Sequence, residues 1–93
     1  MKEAVVHDNR AELRYEVATG GEIAIAAYRI EADRVVFTHT VVPEAVQGQG
    51  VGSRLVRGAL ADVRARGLSV VPLCSFVAGY IDRHPDEQDL LAG

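Results

Sequence analysis

Hydrophobic and polar positions alternate along the first part of the chain with the spacing of half-buried β-strands. The alternation is unbroken over Glu12–Val17, which predicts a strand. Its apolar residues are expected to face the core: Leu13, Tyr15 and Val17. A shorter apolar run predicts another strand at Val5–His7, closed by a turn at Asp8-Asn9.

A hairpin turn at Thr19-Gly20-Gly21 leads into a third predicted strand, Glu22–Ile30. The large apolar residues of this strand change parity near Ala26-Ala27. Either the strand carries a β-bulge there, or both of its faces are covered. A second turn follows at Glu31-Ala32-Asp33.

Arg34–Val42 is the strongest predicted strand because it is rich in β-branched residues. Strict alternation would place four residues on one face: Val35, Phe37, His39 and Val41. The other face would carry small or apolar residues as well. A strand with two such faces is expected to be central in its sheet.

A helix is predicted over Gly50–Arg66, where apolar residues recur at helical spacing. They form one stripe: Val51, Leu55, Val56, Ala59, Leu60 and Val63. Gly67 is well placed to end this helix. Leu68–Leu73 then reads as a strand, and its Pro72 makes it an edge strand or one that departs from its neighbour there.

The last predicted element is a helix with Ser75 as its N-cap and His84-Pro85 at its end. Its apolar residues are Phe76, Val77, Tyr80 and Ile81. The predicted fold is therefore mixed α/β: an antiparallel meander that leads into a β-α-β crossover, followed by a C-terminal helix.

Composition limits the function classes. The chain has 93 residues, of which 48% are hydrophobic and 25% charged, so we expect one globular domain over residues 1–93. A net charge of −3 argues against a generic nucleic-acid binder. The longest uncharged run, Gly67–Ile81, is shorter than a membrane span, and no signal-like stretch opens the chain. We therefore expect a cytoplasmic protein that does not use a membrane.

The chemistry of the chain centres on a glycine-rich segment, Gln47–Gly52, between a strand and a helix. Glycines allow close backbone approach to a ligand, and a helix N-terminus favours anions, so the segment suits a phosphate or pyrophosphate. It lacks the lysine of a Walker loop and the spacing of a dinucleotide fingerprint. It fits the pattern Gln/Arg-x-x-Gly-x-Gly/Ala at Gln47, Gly50 and Gly52.

The stretch from Thr40 to Leu55 resembles the acetyl-coenzyme A signature of the GCN5-related N-acetyltransferases. Other cues resemble a short, cysteine-containing branch of that family: His39-Thr40, Pro72-Leu73-Cys74, and Tyr80 followed by His84-Pro85. The resemblance implies that the chain binds acetyl-coenzyme A as an acyl donor. It also implies that the loop holds the pyrophosphate and that the strand before it pairs with the pantetheine arm. The implied cofactor-binding residues are Thr40, Val41, Val42, Gln47, Gly48, Gln49, Gly50, Val51, Gly52 and Ser53.

Three residues are candidates for catalysis. Cys74 precedes a predicted helix N-terminus, where thiol reactivity tends to rise, and it either accepts the acyl group, assists proton transfer, or is a small buried hydrophobe. His39 is either a general base or a satisfied core residue. The resemblance implies that Tyr80 protonates the departing thiolate, although an alignment shifted by one residue would put Ile81 at that position. The alternative is that Tyr80 is a packed aromatic.

The sequence predicts no metal site, since the three histidines are far apart and there is a single cysteine. The acceptor amine is not identified by any residue pattern; a protein lysine is one possibility. The chain has little material for the acceptor side of a cleft, so a second subunit, as in a homodimer, is another way to complete the site. The alternative function is a coenzyme A-binding or protein-interaction module without turnover.

Overall fold

Five strands, two α-helices and two short 3-10 helices form residues 5–92, the part of the chain that this computed structural model describes. The strands are β1 (His7–Asn9), β2 (Arg14–Thr19), β3 (Glu22–Glu31), β4 (Arg34–Val41) and β5 (Ser69–Pro72). The helices are α1 (Val51–Ala65) and α2 (Ser75–Asp82), with 3-10 helices at Glu44–Val46 and Pro85–Leu90.

The strands form one sheet in the order β1-β2-β3-β4-β5. Neighbouring strands from β1 to β4 are antiparallel, and β5 is parallel to β4. Because parallel neighbours need a crossover, helix α1 connects β4 to β5. The predicted mixed α/β fold, a meander followed by a β-α-β crossover and a C-terminal helix, is confirmed.

Helix α1 packs its apolar stripe against one face of the sheet, and all six predicted stripe residues are buried. The buried residues of α2 belong to the same hydrophobic core, so both helices lie on this face, which we call the helix face. Gly67 ends α1 with a positive φ of 70°. The N–H of Leu68 donates to the carbonyl of Val63 and that of Gly67 to Arg64, which satisfies the last helical carbonyls.

The N-terminal strands differ from the sequence expectation. Strand β1 lies over His7–Asn9, so the predicted Asp8-Asn9 turn is part of a strand. Leu13, expected in the core, has a φ of 55° and is 45% exposed just before β2. Leu13 lies in the turn after β1 and has the left-handed backbone conformation of that turn. The strand therefore starts one residue after Leu13, at Arg14.

A β-bulge interrupts the pairing of β3 with β4. Ala27 pairs with His39 and Tyr28 pairs with Phe37, so Thr38 is an extra residue on β4 without a partner on β3. The hydroxyl of Thr38 donates to the carbonyl of Ala27 at 3.3 Å. The sequence left open either a bulge near Ala26-Ala27 of β3 or two covered faces. The irregularity lies beside Ala27, but the extra residue is on β4.

The bulge reverses which residues of β4 face the helices. Before it, Val35 and Phe37 lie in the core. After it, Thr40 pairs with the buried Ala26 and so shares the helix face, whereas His39 is exposed on the opposite, helix-free face. The expectation that His39 shares a face with Phe37 is therefore wrong.

Strands β4 and β5 separate after four residue pairs. Their pairing ends at Phe37 with Pro72, and the Cys74 N–H then donates to the Phe37 carbonyl at 3.0 Å. Beyond this point no described strand pairs with β4 on the β5 side. Pro72 closes the ladder, as expected for a residue that has no N–H to donate. Cys74 rather than Ser75 occupies the N-cap position of α2.

The C-terminal segment is held against α1. The Arg64 guanidinium bonds both carboxylate oxygens of Asp89, at 2.8 and 2.9 Å, and contacts Glu87 at 3.2 Å. The Ala92 N–H donates to the Val70 carbonyl, so the chain end lies beside β5. Within residues 5–92, no helix has the length and hydropathy of a transmembrane segment.

Candidate functional site

A cavity of about 400 Å³ opens where β4 ends and α1 begins. Two groups of residues form its walls: the end of β4 with the glycine loop, and the first turn of α1 with the start of α2. The lining residues are Thr40, Val42, Val46, Gln47, Gly48, Gly50, Val51, Gly52, Ser53 and Phe76. We call it the first cavity. The cofactor-binding residues expected from sequence all line it, except Val41 and Gln49.

The glycine loop has the backbone conformation that its composition predicts. Gly48 and Gly50 have φ values of 81° and 74°, in the left-handed region that side chains disfavour. Gly50 is the N-cap of α1, and no side chain caps this helix end. The first N–H groups of α1 therefore point toward the cavity end of the helix without a side-chain acceptor, an arrangement suited to an anionic ligand.

Gln47 ties the loop to the strand before it. Its side-chain amide donates to the carbonyl of Val42 at 2.9 Å. The bond therefore connects the peptide that follows Val42 to the loop, and so joins two walls of the first cavity. The sequence pattern marked Gln47 as a fixed position but did not reveal this bond.

Phe76 is a functional candidate that the sequence marked only as an apolar residue of the last helix. The side chain is 40% exposed and lines the first cavity. A Cβ on Gly52 would lie 2.6 Å from the Phe76 ring, so the ring reaches this position only because residue 52 is glycine. A glycine at the second position of α1, together with an apolar residue at the start of the next helix, is the signal that could have identified the contact.

Cys74 lies behind the wall of the first cavity. It is only 8% exposed, and its sulfur is 3.3 Å from the hydroxyl oxygen of Thr40, which lines the cavity. Thr40 reaches the sulfur because the bulge at Thr38 turns it toward the helices. The structure therefore brings Thr40, predicted to bind the cofactor, into contact with Cys74, a predicted catalytic residue.

The other two catalytic candidates lie apart from this pair. His39 is exposed on the helix-free face, where its Nδ1 is 3.3 Å from the Thr38 hydroxyl. Tyr80 is buried in α2, and its ring stacks on His84 with centroids 3.9 Å apart. Burial raises the pKa of the Tyr80 phenol, and the Glu87 carboxylate raises it further, so the phenol keeps its proton at neutral pH.

Tyr80 borders a second cavity of about 360 Å³, between α1 and the end of α2. This cavity shares Gly50 and Ser53 with the first cavity, so the two meet at the glycine loop. Gln49, expected with the loop residues, lines this second cavity, and Val41 is exposed on the helix-free face. Within the described part of the chain, no group of three His, Cys, Asp or Glu residues is placed to hold a metal ion.

These features define an α/β protein with a glycine-rich loop at an uncapped helix N-terminus, beside two separating parallel strands. The chain belongs to the GCN5-related N-acetyltransferase family, whose family model matches residues 14–90. The match covers every element from β2 to the C-terminal 3-10 helix, and it confirms the family that the sequence resemblance indicated.

A solved structure supports the same fold. The solution structure of a GCN5-like protein from Staphylococcus aureus, whose proposed activity is N-acetyl transfer, superposes with a TM-score of 0.74. The alignment covers 100% of this chain and 92% of that one at 23% sequence identity. At this identity the likeness establishes the fold. No curated protein matches the chain significantly.

Proposed function

We propose that the protein transfers an acetyl group from acetyl-coenzyme A to an amine. The observation that carries this proposal is the junction of the first cavity with the stretch of β4 that β5 leaves unpaired. A long, narrow cofactor with an anionic diphosphate and an amide-containing arm matches both parts of this site. Membership of the family adds the acyl donor, since these proteins generally use acetyl-coenzyme A.

The pyrophosphate binds at the glycine loop. Backbone N–H groups of Gln47–Gly52 and the uncapped N-terminus of α1 supply donors and a favourable dipole. Gly48 and Gly50 allow the main chain to approach the phosphates without interference from side chains. Ser53, on the first turn, adds a hydroxyl at the cavity wall.

The pantetheine arm lies along the end of β4 in place of a neighbouring strand. Thr40–Val42 then hold the arm through backbone hydrogen bonds, as in strand addition. Phe76 covers the arm from the side of α2. This orientation directs the thioester toward Thr40 and, behind it, toward Cys74.

In the reaction, the amine nitrogen attacks the thioester carbonyl, the new C–N bond forms, and the C–S bond breaks. The amine loses one proton and the coenzyme A thiolate gains one. The N–H of Val42 polarises the carbonyl, as the family resemblance implies. A hydrogen bond from this N–H lowers the energy of the tetrahedral intermediate, whose oxygen carries the developing negative charge.

Cys74 acts at the thioester end, either as an acyl acceptor or in proton transfer. His39 is exposed on the helix-free face and serves as base for an amine that enters from that side. Tyr80 retains its proton at neutral pH, as a donor to the thiolate requires, but it lies at the second cavity rather than beside Cys74.

The acceptor enters over the helix-free face of the sheet. Ile23 is 52% and Val41 49% exposed there, and no described helix packs on that face. A large acceptor, such as a protein that presents a lysine, or a second subunit supplies the missing wall. The proposal covers both a protein lysine and a small amine.

The test is an acetyl-transfer assay read by mass spectrometry. The protein is incubated with acetyl-coenzyme A and a panel of small amines and lysine peptides, and we expect acetylated product together with free coenzyme A. Intact mass of the protein tests the covalent route: a gain of one acetyl group in the wild type and none in Cys74→Ser supports it. Absence of product across the panel would contradict the assignment as an enzyme.

A coenzyme A-binding module without turnover is the second candidate, favoured by the bare acceptor side described above. The two functions differ in a thermal-shift experiment combined with the same panel. Ligand at 100 times its Kd adds about 2.7 kcal/mol to the free energy of unfolding. Stabilisation by coenzyme A without acetyl transfer would identify the module.

A further inference from the structure

The helix-free face of the sheet carries a group of neighbouring apolar side chains. Two alanines of β3 lie in the core, so alternation turns the residues beside them to the opposite face. Val41 of β4 pairs with Ile25 and joins them there. We call this group the sheet patch: Ile23, Ile25, Ala27 and Val41. Ile23 and Val41 are each about half-exposed.

Charged side chains beside the sheet patch pair with one another within the chain. Glu16 lies opposite Ile25 in the register of β2 with β3, and Arg14 donates to it at 2.6 Å. Toward the end of β3, Arg29 pairs with Glu31. These pairs offer no free charge to a partner. An apolar partner can therefore cover the patch without leaving one of these charges buried and unpaired.

The sheet patch is continuous with the gap at which we place the thioester. Val41 lies between Thr40 and Val42, on the stretch of β4 that β5 leaves unpaired. On the other side of that gap, Leu73 follows the last residue pair of β4 with β5 and is 60% exposed. An acceptor that reaches the gap over the helix-free face therefore has apolar surface on both sides of its amine.

The dimensions of the patch favour a polypeptide over a small amine. Val41 and Ile25 are paired neighbours about 5 Å apart, and Ile23 lies about 7 Å further along β3. A small amine covers only part of this length. The patch consists of isoleucine, valine and alanine, whereas permanent homodimer interfaces are larger and enriched in aromatic residues. A substrate that leaves after each turnover fits these properties better than a second copy of the chain.

We propose that the acceptor is a lysine in an extended polypeptide segment, with apolar residues two positions before and two positions after the lysine. The inference rests on the proposed function. Residues two apart in an extended segment point to the same side, so a lysine directed into the gap has these neighbours directed at the protein. One of them contacts the sheet patch and the other contacts Leu73. The residues adjacent to the lysine point to solvent.

The experiment measures kcat/KM for acetyl transfer to two lysine peptides of identical composition. One peptide has leucine two positions from the lysine on each side and serine next to it, and the other has the reverse arrangement. The wild type should prefer the first peptide about tenfold, the effect of burying one more apolar group. Ile23→Thr, which keeps a β-branched residue, should lower this preference severalfold through a higher KM. Leu73→Ser should have the same effect.

Ile30→Thr is the matched control. Ile30 is also on β3 and is 49% exposed, but it pairs with the core residue Val35 at the other end of the strand. This variant should leave the preference unchanged. Thermal unfolding checks that all variants are folded, and Leu73→Ser, outside the strands, carries the test if Ile23→Thr is unstable.

The outcomes separate this inference from the function beneath it. Equal use of the two peptides would overturn the inference and leave acetyl transfer standing, as would a preference that Ile30→Thr lowers as much as Ile23→Thr does. More efficient transfer to phenethylamine than to either peptide would exclude a polypeptide acceptor. A wild-type dimer in sedimentation that Ile23→Thr dissociates would show that a second copy covers the patch, and would also overturn the inference. Absence of transfer to peptides and small amines alike would overturn both the inference and the proposed function.

Discussion

The hydroxyl oxygen of Thr40 lies 3.3 Å from the sulfur of Cys74, across the gap where β4 and β5 separate. Each residue is at a special backbone position: Thr40 follows the bulge at Thr38, and Cys74 caps α2. The contact joins the wall of the first cavity to the only cysteine of the chain. It provides a direct way to test whether the thiol takes part in the chemistry.

Thr40→Val should slow the reaction of Cys74 with iodoacetamide about three- to tenfold. Valine has the shape of threonine without the hydroxyl, and loss of one hydrogen bond to a charged or reactive group is worth about 1 kcal/mol. Because Cys74 is the single cysteine, the alkylation rate reports on it alone. Acetyl transfer should fall by a similar factor.

The matched control for this variant is Thr38→Val, two residues earlier on the same strand. The Thr38 hydroxyl bonds the Ala27 carbonyl rather than the thiol. This variant should lower stability slightly and leave the alkylation rate of Cys74 unchanged. Equal rates in wild type and Thr40→Val would show that the hydroxyl does not influence the thiol.

Gln47→Ala should weaken coenzyme A binding about fivefold while the protein remains folded. The lost bond from the Gln47 side chain to the Val42 carbonyl is exposed, and such a bond contributes about 1 kcal/mol. Titration calorimetry measures the change. Gln49→Ala, in the same loop, alters the second cavity but not this bond, so a fivefold loss there as well would argue against a role for the Gln47 bond.

Gly58→Ala should destabilise the protein by about 1–3 kcal/mol although alanine favours helices. A Cβ at position 58 would lie 2.6 Å from both Cβ and Cγ2 of Val6, and a β-branched side chain has little freedom to move away. Chemical denaturation measures the free energy of unfolding. Gly79→Ala is the control: its Cβ would meet only the Arg83 guanidinium at 3.4 Å, so it should be neutral or stabilising by up to about 1 kcal/mol.

Much of this fold follows from local sequence signals that tertiary contacts reinforce. The stripe of α1 and its Gly67 stop agree with burial and with the observed C-terminal hydrogen bonds. The glycine loop also forms where its composition indicates, since Gly48 and Gly50 have conformations that few other residues adopt. In these places the residue types determine the backbone directly.

The errors arise where one residue shifts the alternation of a strand. Thr38 is an ordinary strand residue, and only its pairing with β3 reveals that it is extra. The shift moves His39 out of the core and Thr40 into contact with Cys74. Leu13 likewise adopts a positive φ that its residue type does not predict. Register depends on both strands of a pair, so a single strand pattern cannot determine it.

Glu16 should make the protein sensitive to acid. Its side chain is largely buried on β2, where Arg14 bonds it at 2.6 Å and Asn9 at 3.0 Å. The bond from Arg14, followed by that from Asn9, lowers the pKa of Glu16 below its ordinary value of 4.5. The folded state therefore favours the carboxylate more than the unfolded state does. This contribution to stability is fully present above pH 4.5 and is lost as the pH falls through the lower folded-state pKa.

Glu16→Gln should lower the free energy of unfolding by about 1 kcal/mol at pH 7 and reduce its loss between neutral pH and pH 3. Denaturation at a series of pH values measures both effects, and the difference between wild type and variant isolates this carboxylate from the others. Glu31→Gln removes the carboxylate of an exposed pair with Arg29, which contributes about 0.5 kcal/mol or less. If both variants had the same pH dependence as the wild type, the Arg14–Glu16 contact would have no role in acid stability.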